Sequence, residues 1–334
     1  MKKILNDPYA YVDETLDGLC AAHPEFYRRI GATGRAIARA AGTRAGKVGI
    51  ASGGGSGHLP LFTGYVGRGL LDSCAIGDVF SSPGADQMVE AIRAANAGAG
   101  VLLLFGNYGG DSMNFEMAAE VVDLDAIRTT TVKGADDVAS AGADEREKRR
   151  GVAGLIYAYK LAGAKAEMMA SLDEVTAVAR KAGDSIRSIG VALTPCTVPA
   201  AGKPSFQLAD TEMEFGMGIH GEPGVYRSSL KKADAIVDEM LERLLGDMPL
   251  ASGDRISILV NSLGATPLEE LYIAYRHASQ QLTSRGISIV MPLVGRYATS
   301  MEMTGMSLSI CKLDDELEML LKQPCDCPFW RVGA

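Results

Sequence analysis

A chain of 334 residues is longer than one hydrophobic core commonly organises, so two domains are expected; 47 % hydrophobic residues, 6 % aromatics and 39 glycines describe a globular protein with many tight turns between its elements. The formal net charge of −8 comes with no lysine or arginine stripe, which argues against a nucleic-acid or anionic-membrane surface. Asn6, Asp7 and Pro8 stand where a signal peptide needs an apolar run, and no apolar stretch of about 18 residues is present, so a cytoplasmic protein is expected.

In chain order, the stretch 26–42 (FYRRIGATGRAIARAAG) has helical periodicity and predicts a helix. KVGIASGGGSGH then reads as a buried strand running into a glycine loop. A strand–helix rhythm follows: SCAIGDVF, the helix GADQMVEAIRAANAG, the buried strand GVLLLFGNYGGD, the helix SMNFEMAAEVVDL and the strand IRTTTV. Such alternation predicts a largely parallel sheet with helices on its faces. DEREKRR (144–150) alternates acid and base as a solvated helix face does. Two helical stretches between 145 and 185 have no strand between them and suit a join, placing one α/β domain at 1–186 and a second at 187–334. In the second half RSIGVALTPCTVPAAGKPSF opens the domain, SLKKADAIVDEMLERLL reads as an amphipathic helix, and strand, helix, strand, strand and helix follow. The six cysteines are scattered in a chain with no leader, which favours reduced thiols; Cys325 and Cys327 alone are close, too few ligands for a zinc site, and read as incidental.

Three glycine-rich loops carry the candidate chemistry. EFGMGIHGEPG (214–224) contains G-x-G-x-x-G at Gly216, Gly218 and Gly221, but it neither follows a buried strand nor opens a helix, which makes a poor dinucleotide loop. What remains is His220 framed by glycines that let a ligand approach, or a turn histidine satisfied locally. ASGGGSGHLP resembles a phosphate cradle, yet His58 and Leu59 follow Gly57 where a P-loop needs lysine and serine or threonine. It is a site for a small oxygen-rich ligand or a structural turn. In FGNYGGDSMNFE, Asp111 follows an apolar strand and is either a helix cap or, with His58 at another strand end, half of an acid/base pair.

Taken together, GGGSGH, FSSP, NYGGD…NFE, RRGVAG, TVPAAGKPSF, EMEFGMGIHGEPG, NSLGATPLEELY and TSMEMTG resemble the K subunit of dihydroxyacetone kinase, collinearly over nearly the whole chain. The resemblance implies two α/β domains of the K-subunit/DegV-like type, each a central sheet flanked by helices, and a homodimer. It implies that His220 holds the ketone as a hemiaminal, that Asp111 takes the proton of the substrate hydroxyl, that His58 hydrogen-bonds substrate, and that Gly55, Ser56 and Gly57 line the pocket. It places no cofactor in this chain: ATP, or ADP recharged by a phosphotransferase-system protein, sits with Mg²⁺ on a separate all-helical L subunit. Gly106 and Leu59 depart from the family, in which lysine and glutamate are common there, so a four-carbon ketose such as erythrulose is the alternative substrate. A ketose-sensing co-activator of the same fold is a further alternative, and a lipid carrier of the related fatty-acid-binding fold accounts for neither His220 nor Asp111.

Overall fold

The computed structural model describes residues 2–333, which form two large sheets and a two-stranded ribbon. The first is built from β1 (Tyr27–Ile30), β2 (Ala36–Arg39), β3 (Gly49–Ser56), β4 (Ser73–Val79), β5 (Val101–Gly106) and β6 (Thr129–Gly134), in the order β1-β2-β4-β3-β5-β6. The second is built from β7 (Ile186–Thr194), β8 (Glu212–Phe215), β9 (Tyr226–Ser229), β10 (Arg255–Ser262), β11 (Ser288–Ile289), β12 (Leu293–Gly295) and β13 (Thr304–Leu313), and a small ribbon pairs β14 (Cys325–Cys327) with β15 (Trp330–Val332). The helices are α1 (Tyr11–Ala22), α2 (Ala85–Ala95), α3 (Gly109–Asp123), α4 (Leu155–Glu167), α5 (Leu172–Ser185), α6 (Ala233–Asp247), α7 (Leu268–Ser284) and α8 (Asp315–Lys322). No helix among the described residues is long and apolar enough to cross a membrane.

The strand–helix rhythm produces the expected parallel run, β4-β3-β5-β6. Its central strand β5 is buried at every residue, which is why it reads as an unbroken apolar run. The second sheet is mostly antiparallel, with β10-β13, β13-β7, β7-β8 and β8-β9 all paired that way. The helix expected over 26–42 does not form: the stretch is the antiparallel hairpin β1-β2. Gly31 and Gly34 take φ of 82° and 65°, which a helix cannot contain, and a side chain on Gly31 would enter the Glu90 carboxylate that accepts the Ala32 amide. Ile37, flanked by Ala36 and Ala38, is buried as β2 pairs with β4. The run 144–150 is also not a uniform solvated face. It begins as a short 3₁₀ helix, Ala143–Lys148, and Arg149 is buried at 1 % exposure against Asp247.

Helix α4 has every residue but Lys165 and Glu167 buried, the mark of a helix enclosed on all sides. It grips both sheets: Tyr159 bonds Ser52 of β3 at 2.8 Å and Tyr157 bonds Ser257 of β10 at 2.9 Å. The largest apolar cluster accordingly draws on both halves, from Val12 to Trp330, and the β14-β15 ribbon carrying the buried Cys325 and Cys327 packs into it. Gly163 lets α4 come against backbone, since a Cβ there would lie 2.4 Å from Gly69 O. Replacing it by alanine is expected to destabilise the chain by about 1–3 kcal/mol, measured as a lower urea midpoint; an unchanged midpoint would show that α4 is not wedged there.

Candidate functional site

His58 ends the glycine run of β3, and its loop is stitched to residues 299–301. The Met301 amide donates to Gly57 O at 2.8 Å, the Thr299 amide to His58 O at 3.2 Å and the Thr299 hydroxyl to Leu59 O at 3.0 Å. The His58 ring is 1 % exposed, and its Nδ1 lies 2.7 Å from Thr299 O. A carbonyl only accepts, so Nδ1 carries the proton and Nε2, buried without a partner, presents a lone pair. Burial first, then the neighbouring His220, pushes the His58 pKa down to about 3, so the ring is neutral at physiological pH.

The glycines before His58 serve clearance. A Cβ on Gly54 would lie 2.3 Å from the Phe62 ring, one on Gly55 2.7 Å from Ser81 N, and one on Gly57 2.8 Å from the Phe80 ring. Phe80 stacks on His58 with ring centres 4.9 Å apart, and Phe62 meets it edge-on at 5.9 Å. Phe62 and Phe80 both hold positive φ, 71° and 59°, a costly conformation for aromatic residues. Ser56, Gly57 and Leu59 border an open cavity of about 370 Å³ together with Thr299 and Met301, whereas Gly55 faces the packed Phe80–Ser81 backbone.

His220 lies in the β8–β9 connection, whose residues 216–225 form neither helix nor strand. Its ring stands 4.8 Å from His58, 5.5 Å from Phe80 and 4.7 Å from Tyr108, edge-on in each case. Glu222 folds back beneath it: one oxygen accepts the His220 amide at 2.9 Å and the other lies 2.8 Å from Nδ1. Only Gly218 permits this, because a Cβ there would lie 2.2 Å from the Glu222 carboxylate and 2.6 Å from Arg150 Nη1. Arg150 lies 3.9 Å from Glu222 and is held by Asp137 at 2.8 Å. Burial alone would raise the Glu222 pKa, but the His220 hydrogen bond and charge, with Arg150, outweigh it and hold it at about 2. With an ionised acceptor on Nδ1, His220 keeps its proton there and leaves Nε2 as the free nucleophilic nitrogen.

Asp111 is the third residue of α3, three positions past the Tyr108 N-cap, so the helix-cap reading is corrected: Tyr108, not Asp111, occupies the cap position. It is 6 % exposed, and its Oδ1 is buried with no partner. Burial raises its pKa to about 6, against the Ser82 hydrogen bond and the His220 charge. Gly110 makes the approach to Ser82 possible, since a Cβ there would lie 2.6 Å from its hydroxyl. The fold thus brings His58 and His220 into contact and sets Asp111 within reach of the His220 field. Sequence reasoning missed Glu222, Arg150, Tyr108 and Phe80. An acid two residues after a glycine-framed histidine was the available signal for Glu222; nothing local announced the others. Gly106 is buried, and a Cβ there would lie 3.0 Å from the Tyr108 ring, so its missing side chain makes room for Tyr108. Among the described residues no group of three metal-ligating side chains converges.

Residues 17–329 match the Dak1 domain. The chain is 46 % identical over 331 residues to the dihydroxyacetone-binding subunit of PTS-dependent dihydroxyacetone kinase 1 from Listeria innocua, covering 99 % of this chain and 100 % of that one. It is 40 % identical over 338 residues to an L-erythrulose kinase of Pectobacterium atrosepticum, all of this chain matching 57 % of that longer protein. The dihydroxyacetone kinase of C. freundii, solved in complex with AMP-PNP and Mg²⁺, superposes with a TM-score of 0.90 at 31 % identity over 99 % of this chain and 61 % of its own.

The environment of Asp111 predicts a stability signature. Its folded pKa of about 6 stands above the ordinary 3.8, so between those values the folded state holds a proton that the unfolded state has released, and stability falls as pH rises through that window. Asp111→Asn is expected to be more stable than the parent at pH 7 by on the order of 1–3 kcal/mol, the gap closing below about pH 4. Thermal unfolding across pH checks this, and a gap that does not vary with pH would refute the raised pKa.

Proposed function

The chain belongs to the Dak1 domain family, and from that premise we propose that it captures a short-chain ketose, dihydroxyacetone in the first instance, as a hemiaminal on His220 and presents the terminal hydroxyl for phosphorylation. The activity is that of a phosphotransferase with an alcohol acceptor. The observation that carries the reading is the 2.8 Å contact between His220 Nδ1 and ionised Glu222 beside a dry, neutral His58. Nε2 of His220 adds to the carbonyl carbon, the C=O π bond opens, and the oxygen takes a proton from solvent. The imidazolium so formed is neutralised by Glu222. A polyol has no carbonyl to add to, which gives selection for ketones. His58 Nε2 accepts a hydrogen bond from a substrate hydroxyl, and Asp111, ionised above about pH 6, takes the proton of the hydroxyl that is to be phosphorylated.

The phosphoryl donor comes from a partner. The loop Gly53–Gly57 lacks a P-loop lysine, and its glycines admit Phe62, Phe80 and Ser81 rather than phosphate oxygens. ATP, or ADP recharged by a phosphotransferase-system protein, with its Mg²⁺, sits on an L-type subunit, and two copies of this chain form the working dimer. Positioning and charge neutralisation carry most of such a transfer, so this chain orients the alcohol while the donor subunit brings the cations. A second reading, a four-carbon ketose, is supported by the 40 % identity to an L-erythrulose kinase and by Gly106 and Leu59, where the family commonly has lysine and glutamate. In that reading kcat/KM for L- or D-erythrulose exceeds that for dihydroxyacetone.

A crystal of the full chain soaked with dihydroxyacetone is expected to show continuous density from His220 Nε2 to the ketone carbon, absent in His220→Ala; a free ketone beside an unmodified ring would sink the capture step. With an L subunit and donor, Asp111→Asn is expected to lower kcat by about 10² or more while adduct formation persists. Near-normal turnover removes Asp111 as the base. Capture by the parent chain with no phosphorylated product under any donor identifies a ketose sensor instead.

A further inference from the structure

A cavity of about 500 Å³ lies between β6, the Ala143–Lys148 turn, the end of α5 and the start of β7, apart from the histidines. On an acidic chain its lining carries four cations, Lys133, Arg146, Arg180 and Arg187, against two carboxylates, Glu147 and Asp184. Arg187 is 4 % exposed and is held in place by Asp247 and by the carbonyl oxygens of Asp184 and Ile186. Asp247 does not offset the cations: the same carboxylate also takes both terminal nitrogens of Arg149, at 3.0 and 2.5 Å, and lies 3.6 Å from Arg146. Lys133 reaches only Glu116, at 3.4 Å, and Arg180 makes no hydrogen bond or ion pair with any described residue.

We propose that this cavity is a second ligand site, for a phosphate monoester dianion, and that its occupancy is felt at the ketose site. Guanidinium forks match phosphate oxygens in pairs, and a group of metabolite size fits the volume. The link is Asn107. Its side-chain amide donates to Glu147 O at 2.7 Å and Arg149 O at 2.9 Å, so the turn that supplies Arg146 and Glu147 is tied to the segment that carries Tyr108 and Asp111. Tyr108, which touches His220, donates to Gly151 O at 3.1 Å just beyond that turn. An anion that draws Arg146 inward therefore pulls on both anchors of the Tyr108 loop. Binding at this cavity is independent of the ketose reading; its coupling rests on that reading.

Inorganic phosphate, which has no carbonyl for His220, is the first probe in calorimetric titration of the full chain. Saturable binding is expected in the parent and in His220→Ala, weakened at least tenfold in the double variant Lys133→Gln/Arg180→Gln. Both substituted residues are exposed, so the variant is expected to keep its thermal midpoint and its ketose capture without phosphate. Dihydroxyacetone phosphate titrated into His220→Ala separates the sources: tighter binding than phosphate assigns a sugar phosphate, equal binding the free anion. No binding, or equal binding in the double variant, overturns the site. For the coupling, saturating phosphate is expected to change dihydroxyacetone affinity at least twofold in the parent and not in the double variant. An equal response in both overturns it. Failure of ketose capture without phosphate counts against the ketose reading alone.

Discussion

The site depends on one constraint: two histidine rings from different sheets must stand 4.8 Å apart. His58 lies just past a strand of the first sheet and His220 in the loop between two strands of the second, so both loops must be held in place. The backbone bonds from 299–301 to 57–59 meet that need, because they make the His58 loop part of the second half of the molecule. α4 does the same within the core, through Ser52 on one side and Ser257 on the other. A displacement of about 1 Å at such a junction is enough to spoil the alignment of reacting groups.

Two imidazoles this close would repel if both were charged, and burial keeps His58 neutral. His58 is dry, and its only partner is a carbonyl, so it stays neutral as an acceptor. His220 has an ionised carboxylate on Nδ1, which holds its proton there. Glu222 is held ionised with a pKa of about 2 while that of Asp111 is raised to about 6, and two carboxyls whose pKa values are pushed apart in this way suit different roles. Asp111 completes the pattern at a cost to the fold, as a carboxyl kept in a pocket with one oxygen unpartnered. A buried carboxyl with an unpartnered oxygen and a raised pKa is a kind of group that functional sites concentrate.

The strand–helix rhythm of residues 47–134 and the helices at 233–247 and 268–284 were legible because their periodicity is local. The hairpin at 27–39 was not: its apolar spacing suits a helix, and only the positive φ at Gly31 and Gly34, set against Glu90 from another helix, decides otherwise. Arg149 read as solvent-facing for the same reason, since its partner Asp247 is 98 residues away. At the site the loops bearing His58, Asp111 and His220 stood out by their glycines, while Tyr108, Phe80 and Arg150 act through contacts that no spacing encodes. Asp111 as a helix cap was a fair local reading, and one residue pair, Tyr108 as N-cap with Gly109 as the first helical residue, displaces it.

Those glycines also explain why a phosphate-cradle signal was misleading. A cradle needs glycine so that backbone N–H groups can surround oxygens; here the same absence of side chains admits other protein groups. Gly54 and Gly57 make room for the aromatic rings around His58, Gly218 for the carboxylate beneath His220, Gly110 for the hydroxyl beside Asp111. Glycine-rich sequence therefore records close approach without saying what approaches. Where the approaching groups are protein rings and acids, as here, the loops are filled from within.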